Sequence, residues 1–466
     1  MRVAVVLFTA DLRLHDNPVL GAALRAAERV VPLFVIDSGI AGAGFVTPAR
    51  AAFLADCLAD LDEGLRARGG RLVVRAGDVV RETCRVAAET GATEVHLASG
   101  ASGYAQRREE RLGRALAADG RELRVHDAVT TAVAPGTLVP SGKDHYAVFT
   151  PYHRRWSAER LRPVSPAPRR VELPRVRSLP LPGAAGLARG TAPAGLPKGG
   201  ETEGRRRLAA WLRSGLAGYA QAHDDLAADA TSRLSPYLRF GCLSPVEVIS
   251  RARGSASTGE RQAGTGAGAG AEAFVRQLAW RDFHHQVLAA VPAAAHRDYR
   301  DRHDRWRTDP DELAAWRAGM TGYPVVDAAM RQLAHEGWMH NRARMLVASF
   351  LAKTLYHDWR EGAGHFEGLL VDADVADNRL NWQWVAGTGN DTRPHRVLNP
   401  LVQARRFDPR GEYVRRWVPE LAALPGAAVH TPWRLDGPER AALRYPAPVV
   451  DLAAGLARFR RARGLD

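Results

Sequence analysis

The spacing of apolar residues predicts two domains of different class. An α/β N-terminal domain (a doubly wound parallel sheet) spans residues 1–130, an all-α C-terminal domain spans 201–466, and a linker over 131–200 joins them. In the first 130 residues, runs at 3–8, 30–36, 72–75, 95–98 and 123–125 are short, apolar and rich in β-branched residues, as strands buried on both faces are. Helical stretches separate them, and strand–helix alternation of this kind winds a sheet with helices on both faces. One such stretch opens at Thr47-Pro48, an N-cap followed by proline at the first helical position, and runs to Gly69. No G-x-G-x-x-G follows the first run, so no dinucleotide site is expected there. Residues 162–200 carry RPVSPAPRR, LPRVRSLPLPGAAG and TAPAGLPKGG, whose proline and glycine content reads as irregular linker. From Glu201 the pattern is helical to the end, interrupted by the Gly/Ala-rich tract 251–272, read as a flexible surface loop.

The chain has 466 residues, 46% hydrophobic and 25% charged, which suits a globular protein with ample core. No apolar run approaches the roughly 20 residues of a membrane helix, and Asp11 and Arg13 fall too early for a signal peptide. No membrane association is expected. Cys57, Cys84 and Cys242 are scattered, which leaves neither a disulfide framework nor a four-cysteine metal or iron–sulfur site. A reducing cytoplasm is the expected compartment. Lys and Arg total 65 against 51 Asp and Glu, a net +14. Such a surplus points to nucleic acid, because neutralising phosphates releases counterions; an Arg-rich composition overall is the other reading.

Residues 321–400 are the densest in chemistry. Trp338, Trp359, Trp382 and Trp384 lie there, interleaved with Arg342, Arg344, Arg360, Asp372, Asp374 and Asn378. Rings alone would make a core; rings mixed with cations, amides and acids make a pocket for a flat, charged molecule. Upstream, Thr231-Ser232-Arg233-Leu234-Ser235-Pro236 sets hydroxyls and backbone N–H groups ahead of a helix, with Ser235 as N-cap and Pro236 at the first helical position. Alone this is an ordinary cap; with spare donors it also binds anions. Ser244 and Glu247 have capping-box spacing. Gln277, Trp280 and Arg281 share one helical face, as do Asn341 and Met345 one turn apart. Asp372 and Asp374 have no His or further carboxylate at ligand spacing, so no metal is expected.

These motifs closely resemble the flavin-binding half of DNA photolyases and cryptochromes, most like class I cyclobutane pyrimidine dimer photolyases. TSRLSP after Tyr219, QLAWRDF, WMHNRARM and DADVADNRLNWQW through HRVLNP carry the likeness. It implies FAD, reduced and anionic when active, in an all-α FAD-binding domain, and DNA containing cyclobutane pyrimidine dimers as substrate. The implied cofactor residues are Tyr219, Thr231, Ser232, Arg233, Leu234, Ser235, Trp338, Arg344, Asp372, Asp374 and Asn378. Asp372 would pair with Arg344 beside the flavin ring, Asp374 would lie near its N3/O2 edge and Asn378 near N5. The lesion would be stacked between Trp280 and Trp384, and faced by Gln277, Asn341 and Met345. Arg281, Arg342, Arg396 and Arg405 would lie towards DNA phosphate. Trp382, Trp359 and Trp306 would pass electrons from the surface to the flavin. Histidines stand at the positions of Asn341 and Met345 in the branch that repairs (6-4) photoproducts, so their absence implies cyclobutane-dimer chemistry.

Gln277 stands where many dimer photolyases have Glu, and His223 where an Arg contacts phosphate. Both would also suit the alternative, a cryptochrome-like blue-light photoreceptor without repair activity. A second, antenna chromophore, deazaflavin or folate, is left unassigned: Arg107 replaces a Glu of folate-binding members, and Gly100–Ser102 an Asp of deazaflavin-binding ones. A monomer is expected, on the nucleoid when bound to DNA.

Overall fold

The five apolar runs pair into one parallel sheet: β1 (Val3–Phe8), β2 (Arg29–Asp37), β3 (Val73–Gly77), β4 (Glu94–Ala98) and β5 (Glu122–His126), in spatial order β3-β2-β1-β4-β5. The computed structural model describes residues 1–259 and 266–465. Val5 sits across from Val31 and Val95. Alternate residues of β1 join two different cores, Ala4, Val6 and Phe8 one and Val3, Val5 and Leu7 the other, so both faces of the strand are covered. This explains the unbroken apolar run. The helix Pro48–Arg66 starts as expected after Thr47, but the Thr47 hydroxyl is buried with no partner and does not cap it.

The linker is better tied than its composition suggests. It contains a helix, Phe149–Ala158, and its later part follows the sheet: the Val30 amide donates to Glu172 (2.7 Å), and Val74 bridges to Leu179. Beyond it the chain is helical. The helices Glu201–Ser214, Pro245–Gly259 and Gly266–Ala290 add buried side chains to the core that also receives Ala4, Val6 and Phe8; Pro324–Glu336, Asn341–Ser349 and Trp359–Leu369 build a further core, and Val375–Ala386 contributes to both. The tract 251–272 corrects its expected loop. Residues 251–259 and 266–272 are helical, and 260–265 lie outside the described residues. Alanine is the best helix former, and Ala252 and Ala271 are buried. At Gly270 an added Cβ would lie 1.9 Å from the Leu216 carbonyl, so that glycine serves close packing. The helix Asn341–Ser349 runs on into a π-helical turn, Phe350–Leu355, and ends at Tyr356, whose φ of 62° lies in the left-handed region.

Buried charges join the two domains. The Arg13 guanidinium donates to the carbonyls of Asp16 (3.0 Å), Val129 (2.9 Å) and Gly241 (3.0 Å). Glu201 accepts from the amides of Leu14 and His15, and Arg50 reaches across to the carbonyls of Glu367 and Leu370. Gly241, at φ 68°, lies so close that a Cβ would meet the Ala10 carbonyl at 2.0 Å. Gly241→Ala is therefore expected to cost more than about 1 kcal/mol and to lower the thermal unfolding temperature, whereas Gly364→Ala, on open surface within its helix, leaves it within error of the parent or above it.

Candidate functional site

Three segments meet at the amino end of the helix Val375–Ala386. Asp374 is its N-cap and accepts from the amides of Ala376 (2.9 Å) and Asp377 (3.1 Å), which leaves its other oxygen 3.4 Å from His285 Nε2. Burial alone would raise the Asp374 carboxyl; His285, with Arg281 and Arg239, instead holds it well below the usual range. Burial likewise opposes charge on His285, and Asp374 more than offsets it, so the imidazole titrates above 6.5. The sequence offered Asp374 no histidine at ligand spacing; the fold brings His285 and Asp377 to it within 4.8 Å. Arg281 and Arg239 already face that carboxylate, so the charge a cation would supply is in place.

Beside this cluster, Arg344 donates to Asp372 Oδ2 (2.8 Å) and to the Met339 carbonyl (2.8 Å), the pairing expected from the sequence. Asp372 Oδ1 and the Thr231 hydroxyl are both buried without a partner. Buried polar atoms are rarely left so, and these two mark where a polar ligand would complete the site. Asn378 Nδ2 donates to the Ala363 carbonyl (3.0 Å) and Glu367 (3.2 Å), so its Oδ1 is the atom left to face a ligand. Ser235 lies inside the short helix Ser235–Arg239 and does not cap it; Leu234 occupies that place, and the Ser235 hydroxyl accepts from the Trp338 indole at 3.2 Å. Arg233 lies over the Trp338 ring at 4.2 Å and pairs with Asp229 and Glu336. Its left-handed φ of 49° turns the backbone just ahead of the helix. Tyr219 is buried against Trp211 and Phe274. The adjacent His223 donates Nδ1–H to the Tyr219 carbonyl.

The helices Gly266–Ala290, which carries Gln277 and Trp280, and Asn341–Ser349, which carries Asn341 and Met345, both pack on Val375–Ala386, which carries Trp384. Gln277 and Asn341 are exposed; Trp280, Met345 and Trp384 are half-buried. Phe149 lies flat on Trp280, with centroids 3.6 Å apart and planes 6° apart, so one face of that indole is taken and one is left. Arg396 is exposed and lies 5.2 Å above Trp384. Two expected phosphate contacts are corrected here. Arg281 is turned inward, donating to the Thr130 carbonyl and lying 3.9 Å from Asp377. Arg342 forms a two-pronged pair with Asp224 (2.7 and 2.9 Å) over the Phe407 ring. Each found a distant partner that local sequence does not announce. Arg405 is exposed.

A family model described as the FAD binding domain of DNA photolyase matches residues 274–463, and one described as DNA photolyase matches 4–171. The deoxyribodipyrimidine photo-lyase of Streptomyces griseus is 64% identical over 468 residues, covering all of both chains. The chain belongs to the DNA photolyase/cryptochrome family. Among solved structures, a bacterial class III photolyase from Agrobacterium tumefaciens superposes with a TM-score of 0.90 at 33% identity, over 100% of this chain and 97% of that one. A cryptochrome from Synechocystis gives 0.91 at 30% identity, over 99% of each.

Of the tryptophans of the expected electron path, two are buried and one reaches the surface. Trp382 is buried edge-on to Phe366 (5.1 Å), and Gly362 makes room for it: a Cβ there would fall 2.1 Å from the ring. Trp359 is fully buried, its indole donating to Asp298 (2.9 Å). Trp306 is half-exposed beside the bridge that pairs Arg307 with His357. Trp316, not singled out from the sequence, stands 6.0 Å from Trp382. Arg239 and His285 were missed too. His285 continues the Gln277–Trp280–Arg281 helical face one turn further, so the face could have been extended to it. Replacing Asp372 by Asn removes the charge opposite Arg344. FAD retention is expected to weaken about ten- to hundredfold, since a hydrogen bond to a charged group is worth roughly 1.5–3 kcal/mol; dialysis with flavin fluorescence reads the loss, and unchanged retention would show that the pair does not serve the cofactor.

Proposed function

We propose that this chain repairs cyclobutane pyrimidine dimers in DNA by light-driven electron transfer. The observation that carries the proposal is a buried, charge-lined flavin site whose orphaned acceptors, Asp372 Oδ1 and the Thr231 hydroxyl, lie in the same domain as a half-open pair of indoles. Full-length identity of 64% to a deoxyribodipyrimidine photo-lyase supports the same reading. Reduced FAD supplies, when bound, the electron that light sends to the dimer and that returns after the ring opens. The protein's part is to bind and orient. Thr231, Ser232, Leu234 and Ser235 present hydroxyls and backbone N–H groups to the diphosphate, Tyr219 and Trp338 pack beside them, and Arg233 holds the turn. Arg344, Asp372, Asp374 and Asn378 would edge the flavin ring.

A dimer swung out of the duplex, as base-flipping enzymes require, would stack on the free face of Trp280 and on Trp384. Gln277 and Asn341 supply amide donors and acceptors to its imide edges, and the Met345 thioether lies against its rings. Neither Asn341 nor Met345 can give up a proton as a histidine can. Trp306, Trp359 and Trp382 supply the electron path that keeps the flavin reduced. The class I assignment rests on this lesion pocket, beside a structural neighbour of class III. Residues 1–130 form the antenna-type domain, 131–200 the linker and 201–466 the catalytic domain, working as a cytoplasmic monomer. Among the described residues no helix is long and apolar enough to cross a membrane.

Purified protein with reduced flavin should reverse cyclobutane dimers in light and not in darkness, and should leave (6-4) products untouched. Absence of light-dependent reversal, with the flavin photoreduced normally, would instead support the photoreceptor reading that Gln277 and His223 keep in view.

Arg396 and Trp384 separate two contributions to DNA affinity. Affinity falls with salt at about −0.9 in log–log slope for each phosphate neutralised. Arg396→Ala should make the slope shallower by about that amount and weaken damaged and undamaged DNA alike. Trp384→Ala should keep the slope and lose preference for the lesion, at roughly 1–3 kcal/mol per stacked base. Titrations at several salt concentrations distinguish them, and a Trp384 variant with full lesion preference would move the pocket elsewhere.

A further inference from the structure

Two of the three cysteines meet at the seam between the domains. Cys57 lies on the helix Pro48–Arg66 of the sheet domain, and Cys242 follows the short helix Ser235–Arg239 of the helical domain. Their Sγ atoms stand 3.4 Å apart, although 185 positions separate them in the chain. Both side chains are buried, and both are free thiols. A disulfide holds its sulfurs about 2.05 Å apart, so bonding calls for an approach of little more than an ångström, the scale of a small side-chain rotation. The backbone around the pair is held on both sides. Phe53, one turn before Cys57, packs on Tyr237 and Phe240 at 5.3 and 4.9 Å. The Gly200 amide donates to the Cys57 sulfur, and a Cβ at Gly199 would fall 3.0 Å from it. Asp56 and Asp60, on the same helix as Cys57, accept from the amides of Gly199 and Thr202 at 3.0 Å each. Packing alone accounts for one buried thiol, which behaves as a small apolar group. It does not require two, from opposite domains, to face one another.

We infer that Cys57 and Cys242 form a disulfide on exposure to peroxide and so tie the two domains covalently. One thiol, as thiolate, attacks the O–O bond of hydrogen peroxide and becomes a sulfenic acid, and its proton leaves with the displaced hydroxide as water. The second thiol then attacks that sulfur, and a second water leaves. Two thiols lose two electrons and two protons, and one peroxide becomes two waters. Burial, and then the neighbouring Cys242, push the Cys57 thiol up, so little thiolate is present and the first step is slow. The pair therefore answers sustained oxidation and ignores a brief pulse. Once formed, the bond is out of reach of protein dithiols, and a small dithiol reverses it. What it ties matters to the flavin site. Arg239, three residues before Cys242, donates to the Ala373 carbonyl between Asp372 and Asp374. Arg50, two turns before Cys57, donates to the carbonyls of Glu367 and Leu370. Closing so long a ring also removes freedom from the unfolded chain.

The inference is independent of the repair chemistry, and its test needs no light. Full-length, FAD-bound protein is held with hydrogen peroxide until the exposed Met320 has become its sulfoxide. It is then quenched with N-ethylmaleimide in denaturant, digested without reduction and mapped by mass spectrometry. A peptide joining Cys57 to Cys242, lighter by two hydrogens than its parts, is expected, and dithiothreitol should abolish it. The oxidised protein should unfold several degrees above the reduced one. Cys57→Ser and Cys242→Ser should each lose the linked peptide and the shift, with alanine as the replacement where a buried hydroxyl prevents folding; Cys84→Ser should keep both. The wild-type map decides the matter without any variant. Recovery of both cysteines as maleimide adducts, after Met320 is fully oxidised, would overturn the inference. So would a sulfinic or sulfonic acid at either position without the link, or a linked peptide that leaves the unfolding temperature unchanged.

Discussion

Acids and bases from three separate segments converge on Asp374, where burial makes their mutual neutralisation obligatory. Asp374 closes the helix that carries Asn378, Trp382 and Trp384; His285 and Arg281 belong to the helix that carries Gln277 and Trp280; Arg239 ends the turn that follows the Thr231–Ser235 loop. Removing any one group would leave the others charged in a dry place, at a cost of several kcal/mol. The flavin loop, the lesion face and the first tryptophan of the electron path therefore cannot move independently. Arg239 also donates to the Ala373 carbonyl (2.7 Å), which fixes the backbone between Asp372 and Asp374. The precision of the site follows from charge balance among buried side chains.

Legibility followed locality. The parallel sheet could be read because a strand buried on both faces must be apolar throughout, and β1 is. The Arg344–Asp372 pair could be read because both residues fall within family-like motifs. Arg342 could not, since its partner Asp224 lies more than a hundred residues away and competes with DNA phosphate for the same guanidinium. Arg281 was misplaced for the same reason: its receiving carbonyl, Thr130, comes from the end of the N-terminal domain. Ser235 looked like a cap because composition cannot tell a first-turn serine from the residue before it. Phe149, which covers one face of Trp280, lay in sequence written off as connection. The tract 251–272 misled in the opposite sense, because glycine content outweighed the alanines between.

The seam between the domains is polar where it positions and apolar where it fills. Arg50 leaves the sheet domain to bond the carbonyls of Glu367 and Leu370, next to the segment holding Asp372, and burial lowers its pKa to about 10. Arg13 and Glu201 bond backbone on the opposite domain, and Asp282 accepts from the amides of Ala132 and Val133 and from the Trp156 indole. All of these partners but the Trp156 indole are backbone groups, whose positions are set by the fold, so the seam fixes orientation more than it adds stability. It holds the end of the sheet in register with the flavin-binding loop.

Lysine is almost absent from this chain: beside Lys143 and Lys198, both exposed, there is Lys353 alone. Lys353 is buried under the segment that carries Arg396, donating to the carbonyls of Pro394 and Arg396 at 2.8 Å each. Nearly all the positive charge thus resides on guanidinium groups, which stay protonated and react poorly with acylating reagents. An amine-directed dye would be confined to the N-terminus and two surface lysines, well separated in sequence from Trp280, Trp384 and Arg396. Fluorescent labelling of this protein therefore comes with its own site selectivity, since ordinary acylation leaves its guanidinium groups unmodified.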